Sequence, residues 1–88
     1  MIRGDFKIYF RMKRTHVALF GLGRIGQIHL ENILINPKIS LLYICDANFE
    51  HGVQIKEKYN LAARVIGVEN FATVFNDAKV DGVIIGKI

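Results

Sequence analysis

Apolar residues fall along this chain in blocks of two alternating kinds. The first block, His16–Phe20, is a continuous apolar run ending at Gly21. Strands buried on both faces of a parallel sheet read this way, because neither face alternates with water. Arg24–Asn36 follows, with Ile25, Ile28, Leu30, Ile33 and Leu34 at helical spacing. Pro37 closes that helix, since the residue before a proline is pushed out of the helical region. Ser40–Cys45 (SLLYIC) predicts a second buried strand, ended by Asp46.

The alternation continues beyond it. Asn48–Tyr59 predicts a helix with Phe49, Val53, Ile55 and Tyr59 inward, and Gly52 as a mild weakness within it. Asn60 suits the C-terminal cap. Ala63–Ile66 is a short third strand before Gly67. Glu69–Asn76 predicts a short helix with Phe71, Val74 and Phe75 turned inward, and Val80–Ile85 a fourth strand. Strand and helix thus alternate as β-α-β-α-β-α-β. The expected fold is α/β, a partial Rossmann fold: a parallel sheet of about four strands with right-handed crossovers and helices on both faces. Residues 15–88 form the folded unit in this reading, and residues 1–14 a basic extension without the fold signal.

Charge sharpens that division. The chain of 88 residues carries a net charge of +4. Arg3, Lys7, Arg11, Lys13 and Arg14 against Asp5 account for all of it, and the rest has seven basic and seven acidic residues. The globular part has no basic field for a nucleic-acid backbone. No apolar run approaches the roughly 18 residues of a membrane helix. Cys45 is the only cysteine, so no internal disulfide can form and a reducing, cytoplasmic setting is expected. Residues 1–14 have weak basic amphipathicity, which leaves mitochondrial targeting as a minor alternative.

The chemistry sits in the stretch between the first strand and the first helix, GLGRIG, with Gly21, Gly23 and Gly26. In a dinucleotide-binding turn these glycines have separate tasks. Gly21 makes the tight turn, Gly23 lets the backbone approach a pyrophosphate, and Gly26 lets helix and strand pack closely. The helix then opens at the phosphates, where unpaired N–H groups and the positive dipole end favour anions. Arg24 and Ile25 offer N–H groups there. A bare G-x-G-x-x-G is a weak signal, but this one follows an apolar strand, opens a helix, and has Asp46 twenty residues after Gly26. At that position a carboxylate accepts from adenosine ribose hydroxyls and repels a 2′-phosphate. No Arg or Lys lies among Ala47, Asn48 and Phe49. NAD is therefore favoured over NADP. Asp46 as a simple cap of the second helix stays open as an alternative.

With these residues in place the sequence resembles the N-terminal domain of the glucose–fructose oxidoreductase / inositol dehydrogenase / MocA family. The carrying segments are VALFGLGRIGQIHLENI (Val17–Ile33), LLYICD (Leu41–Asp46), EKYNL (Glu57–Leu61) and VDGVII (Val80–Ile85). The flavour is that of the myo-inositol 2-dehydrogenase-like branch. The resemblance implies an NAD(P)-dependent sugar or polyol oxidoreductase of two domains. It assigns Gly21, Gly23, Arg24, Ile25 and Gly26 to the pyrophosphate, Asp46 to the ribose, and the neighbourhood of Gly86 to the cofactor. The family's E-K-P segment with its catalytic-site lysine has no counterpart in this sequence, and Lys87 does not substitute for it. No catalytic residue is assigned, and the chain is expected to bind cofactor without turnover; the alternative is a non-catalytic NAD-binding or protein-interaction module.

The remaining candidates read as structural. His16, His29 and His51 have no metal-ligand spacing and read as packing or surface histidines. Cys45 reads as a buried strand residue. Half of a doubly wound sheet leaves an edge unpaired and apolar surface uncovered, so marginal stability and association through the sheet edge are expected.

Overall fold

The computed structural model describes residues 13–86. Most of the 1–14 extension, and Lys87 and Ile88, lie outside the described residues. The elements are β1 (Thr15–Phe20), α1 (Arg24–Leu34), β2 (Ile39–Asp46), α2 (Phe49–Tyr59), β3 (Arg64–Gly67), a 3-10 turn (Val68–Asn70), α3 (Ala72–Phe75) and β4 (Gly82–Ile85). The four strands form one sheet in the order β3-β2-β1-β4, all neighbours parallel. This is the order of the first four strands in the classic doubly wound dinucleotide-binding sheet. The fold is α/β, a partial Rossmann fold.

The two faces of the sheet are covered unequally. On one, Val17, Leu19 and Ile44 pack with Leu30 and Ile33 of α1 and Ile55 of α2. On the other, Ala18, Tyr43, Cys45 and Ile66 meet Val74, the buried residue of α3. Eleven-residue helices therefore cover the first face, and a four-residue helix the second. The register between β1 and β2 slips after Val17, which pairs with Leu41, while Ala18 pairs with Tyr43. Leu42 is the extra residue of a bulge. Leu42 and Tyr43 consequently join the same cluster, and Ile44 returns to the first face. Both faces of β2 are thus packed, which is why Leu41–Cys45 is apolar without alternation.

Helix ends follow local chemistry. The Asn48 side chain caps α2 by accepting from the His51 N–H at 3.1 Å. Asn60 closes α2 in the left-handed conformation, φ 53°, which asparagine tolerates better than most residues. Helix α1 ends at Leu34, with Ile35 as its cap, two residues before Pro37.

Burial departs from the apolar pattern on all three helices, and the inward assignments of Phe49, Phe71 and Phe75 are corrected. On α1, Gly26, Leu30 and Ile33 are buried, whereas Ile25, Ile28 and Leu34 are exposed. The sheet accepts a narrower stripe of this helix than its apolar content suggests. Phe49 is half-exposed at the start of α2. The predicted 69–76 helix divides into the 3-10 turn and α3. Phe71 and Phe75 lie largely exposed, with Phe75 5.8 Å from the Phe71 ring and 6.2 Å from Phe20. Gly52 is no mere weakness: it is buried in α2, and a Cβ there would come within 2.9 Å of Val65 Cγ1. Its missing side chain lets α2 settle on β3.

Candidate functional site

At the carboxyl ends of the paired strands β1 and β4 the connections diverge, because the chain turns from β1 into α1 on one face and reaches β4 from the other. Such a switch point opens a crevice. Here the crevice is a cleft of about 710 Å³ lined by Phe20, Gly21, Gly23, Arg24, Asp46 and Gly86, among others. Its size is within the usual range for small-molecule sites.

Three glycines build its floor. Gly21 leaves β1 at φ 94°, a conformation that favours a residue without Cβ. Its N–H donates to the Cys45 carbonyl at 2.7 Å, which joins the ends of β1 and β2. A side chain on Gly26 would strike the Gly21 carbonyl, and one on Gly86 would reach 2.5 Å from the Gly26 Cα. The first turn of α1 thus rests directly on the backbone of both flanking strands. Gly23 differs, since nothing lies within 4 Å of where its Cβ would be. The space there is open rather than filled by protein.

The mouth of α1 faces this cleft. Gly23 is the N-cap in extended conformation, with no side-chain cap and no acidic residue in the first turn. The first rung of the helix ladder is Gln27 N–H to Gly23 O, at 2.9 Å. The N–H groups of Arg24, Ile25 and Gly26 precede it and have no intrahelical acceptor. Arg24 and Ile25 line the cleft, and Arg24 is exposed. A helix end with this many free donors and a positive dipole attracts an anion.

Asp46 ends β2 at the same cleft. Its Oδ1 accepts a long hydrogen bond from Asn48 N–H at 3.4 Å. The cap of α2 is Asn48, so the alternative role of Asp46 as that cap is not realised. Of the sequence-assigned residues, Gly21, Gly23, Arg24, Ile25, Asp46 and Gly86 all line the cleft, and Gly26 lies beneath it against Gly21 and Gly86.

The wall also contains Cys45, which is buried. Burial first, then the negative charges of Asp46 and Glu69, push its thiol above the ordinary value. It is a poor nucleophile in this setting. No group of three or more His, Cys, Asp or Glu side chains among the described residues could hold a metal. Among the same residues no helix is long and apolar enough to cross a membrane.

One participant escaped the sequence reading. His51 Nε2 lies 2.9 Å from the Leu22 carbonyl oxygen, inside the glycine turn. Gln27 Nε2 donates to that same oxygen at 3.0 Å. The signal is invisible in the sequence because the contact spans 29 positions and exists only once α2 has crossed back over the turn. His16 lies at the opposite end of β1 and pairs with Asp81, its Nδ1 3.4 Å from Oδ2.

Comparison with known proteins agrees with this fold. No family model matches the chain, and a search of curated proteins finds no match. Solved structures do match. A myo-inositol dehydrogenase from Corynebacterium glutamicum ATCC 13032 shares 33% identity with a TM-score of 0.72 over 85% of this chain and 21% of its own. GenD2 from gentamicin A biosynthesis, solved in complex with NAD, shares 25% identity with a TM-score of 0.71, over 85% of this chain and 20% of its own. The apo scyllo-inositol dehydrogenase from Lactobacillus casei, 23% identical with a TM-score of 0.69, covers 88% of this chain and 22% of its own, and supports the fold alone. The chain spans about a fifth of the length of the structures it matches. The resemblance to the N-terminal domain of the glucose–fructose oxidoreductase / inositol dehydrogenase / MocA family is thus found again in three dimensions.

Proposed function

We propose that this chain is the dinucleotide-binding part of a sugar or polyol oxidoreductase, that it binds NAD, and that by itself it does not turn substrate over. Residues 15–88 are the binding unit in this reading and residues 1–14 an appended extension. The observation that carries the proposal is the mouth of α1, uncapped and free of acidic side chains, opening on a cleft that Asp46 also lines.

The residues present fit such a cofactor. Gly23 leaves open space beside the backbone, which suits the close approach of a pyrophosphate to the N–H groups of Arg24 and Ile25. Gly21, Gly26 and Gly86 keep side chains out of the floor. The Arg24 guanidinium is available for a charge contact. Asp46 is assigned to the adenosine ribose hydroxyls, where a carboxylate favours NAD over NADP. When bound, NAD supplies a two-electron hydride acceptor; this chain's part is to hold and orient it. The matched myo-inositol dehydrogenase and the NAD complex of GenD2 support the reading. The edges of β3 and β4, each with one strand partner among the described residues, are where association with other chains is proposed. The soluble, cytoplasmic setting is part of the same proposal.

Isothermal calorimetry of the chain with NAD, beside a parallel assay for NADH formation on inositols, tests it. Saturable heat without NADH formation is the expected result. Absence of heat at millimolar NAD would refute the binding, and NADH formation would refute the inactivity.

A further inference from the structure

The Leu22 carbonyl is the acceptor of two side-chain donors from two helices. Gln27 Nε2 reaches it from α1 at 3.0 Å, and His51 Nε2 from α2 at 2.9 Å. A carbonyl oxygen can only accept, so His51 must carry its proton on Nε2. Leu22 itself is fully buried, and a buried acceptor that loses its donors is costly. The contact is therefore a constraint on the turn and not a surface accident.

Covalent geometry carries the constraint to the cleft. In a planar trans peptide the C=O and the following N–H point in opposite directions. With the Leu22 oxygen held toward Gln27 and His51, the N–H of the same peptide, on Gly23, points away from both side chains. Gly23 lines the cleft. Its φ of −72° and ψ of −163° require no unusual backbone, and glycine's freedom would let this peptide rotate. The two side chains remove that freedom.

We propose that His51 is a positioning residue for the phosphate-binding turn: together with Gln27 it fixes the Leu22–Gly23 peptide, and so aims the Gly23 N–H at the diphosphate of the ligand. This rests on the reading of the cleft as a dinucleotide site. His51 touches the turn, not the ligand, and it acts from the first turn of α2, where the Asn48 cap fixes its own backbone N–H at 3.1 Å. It also ties the two halves of the site together, because α2 begins three residues after Asp46. The ribose side and the phosphate side are thereby held at one spacing.

The test compares the parent chain with His51→Ala, His51→Gln and, as a control, Tyr59→Phe. The control removes a different α1–α2 link, the Tyr59 hydroxyl to Glu31 Oε2 at 2.9 Å, away from the cleft. Calorimetry with NAD is expected to give about tenfold weaker binding for His51→Ala, the size of one lost hydrogen bond to a buried acceptor. His51→Gln, whose amide can donate to the same oxygen, is expected to recover most of it, and Tyr59→Phe to bind as the parent does. In the unliganded parent, nitrogen-15 NMR is expected to find the Nε2-protonated tautomer, with the Gly23 amide resonance shifted in His51→Ala and restored in His51→Gln. Parent-like affinity in His51→Ala, equal losses in His51→Ala and Tyr59→Phe, or an Nδ1-protonated tautomer would overturn the inference. A parent that gives no heat with NAD overturns the dinucleotide reading instead, and with it the aim at a diphosphate, while the tautomer still decides whether His51 holds the turn.

Discussion

The carbonyl oxygen of Gly21 occupies the place where a side chain on Gly26 would begin. The first turn of α1 can lie against the end of β1 only because that side chain is absent. This contact sets the height of the helix mouth above the sheet.

Gly26→Ala is therefore expected to cost about 3 kcal/mol of folding stability, at the upper end for overpacking, because the obstacle is backbone and cannot rotate away. Gly86→Ala, which meets the Gly26 Cα and the Gly21 carbonyl, behaves similarly. Gly23→Ala is the contrast: its Cβ enters open space, so the fold survives while the methyl group obstructs a diphosphate. Urea denaturation beside NAD calorimetry separates the two, and a fold-breaking Gly23→Ala would refute this division of labour.

Asp46→Ala is expected to weaken NAD binding by about tenfold or more, as for a hydrogen bond to a charged acceptor. It is also expected to narrow the preference for NAD over NADP, since the carboxylate that repels a 2′-phosphate is gone. Equal affinities of parent and variant for both nucleotides would remove Asp46 from the ribose.

Acid stability should depend on two carboxylates far from the cleft. Asp81 is held below its ordinary value of 3.8, chiefly by the His16 backbone N–H, which donates to its Oδ2 at 2.8 Å. Asp77 is held below 3.8 chiefly by the Tyr43 hydroxyl, which donates at 2.6 Å. The unfolded chain binds these protons first. Stability is thus fully present above pH 3.8 and falls as pH drops through the lower folded values. Asp81→Asn and Asp77→Asn are expected to flatten the acid limb of a plot of stability against pH below 4. Unchanged limbs would exclude the two contacts as contributors.

Gly52→Ala is expected to fail as a helix-stabilising change. On an exposed helix the replacement gains about 1 kcal/mol. Here the added methyl would stand 2.9 Å from Val65 Cγ1, and valine has little rotamer freedom to move aside. Calorimetric unfolding at a lower temperature than the parent is the expected outcome.

These expectations differ in how far the sequence could have supplied them. The strands, the glycine turn and Asp46 at a strand end were legible because each depends on neighbouring residues alone. The exposure of Ile25, Ile28 and Leu34 was not, since a helical stripe shows which residues share a side but not how wide a groove the sheet offers. The exposure of Phe71 and Phe75 has the same cause: among the described residues α3 alone covers that side of the sheet, and its short length buries Val74 alone. Gly52 looked like a local defect until β3 lay beneath it. Nothing near His51 in the chain marks it out, because its partner is an oxygen 29 residues earlier.

The pairing of β4 with β1 has a consequence for how the cleft can be controlled. Gly86 donates its N–H to the Phe20 carbonyl at 2.7 Å and forms a wall of the mouth. The same strand pair continues to His16, whose carbonyl accepts the Asp81 N–H at 2.7 Å. A molecule seated in the mouth would act as a stitch across the seam between β1 and β4, and its binding energy would add to the force that keeps the seam shut. Loosening at the far end, among His16 and Asp81, would then be felt as weaker grip at the near one.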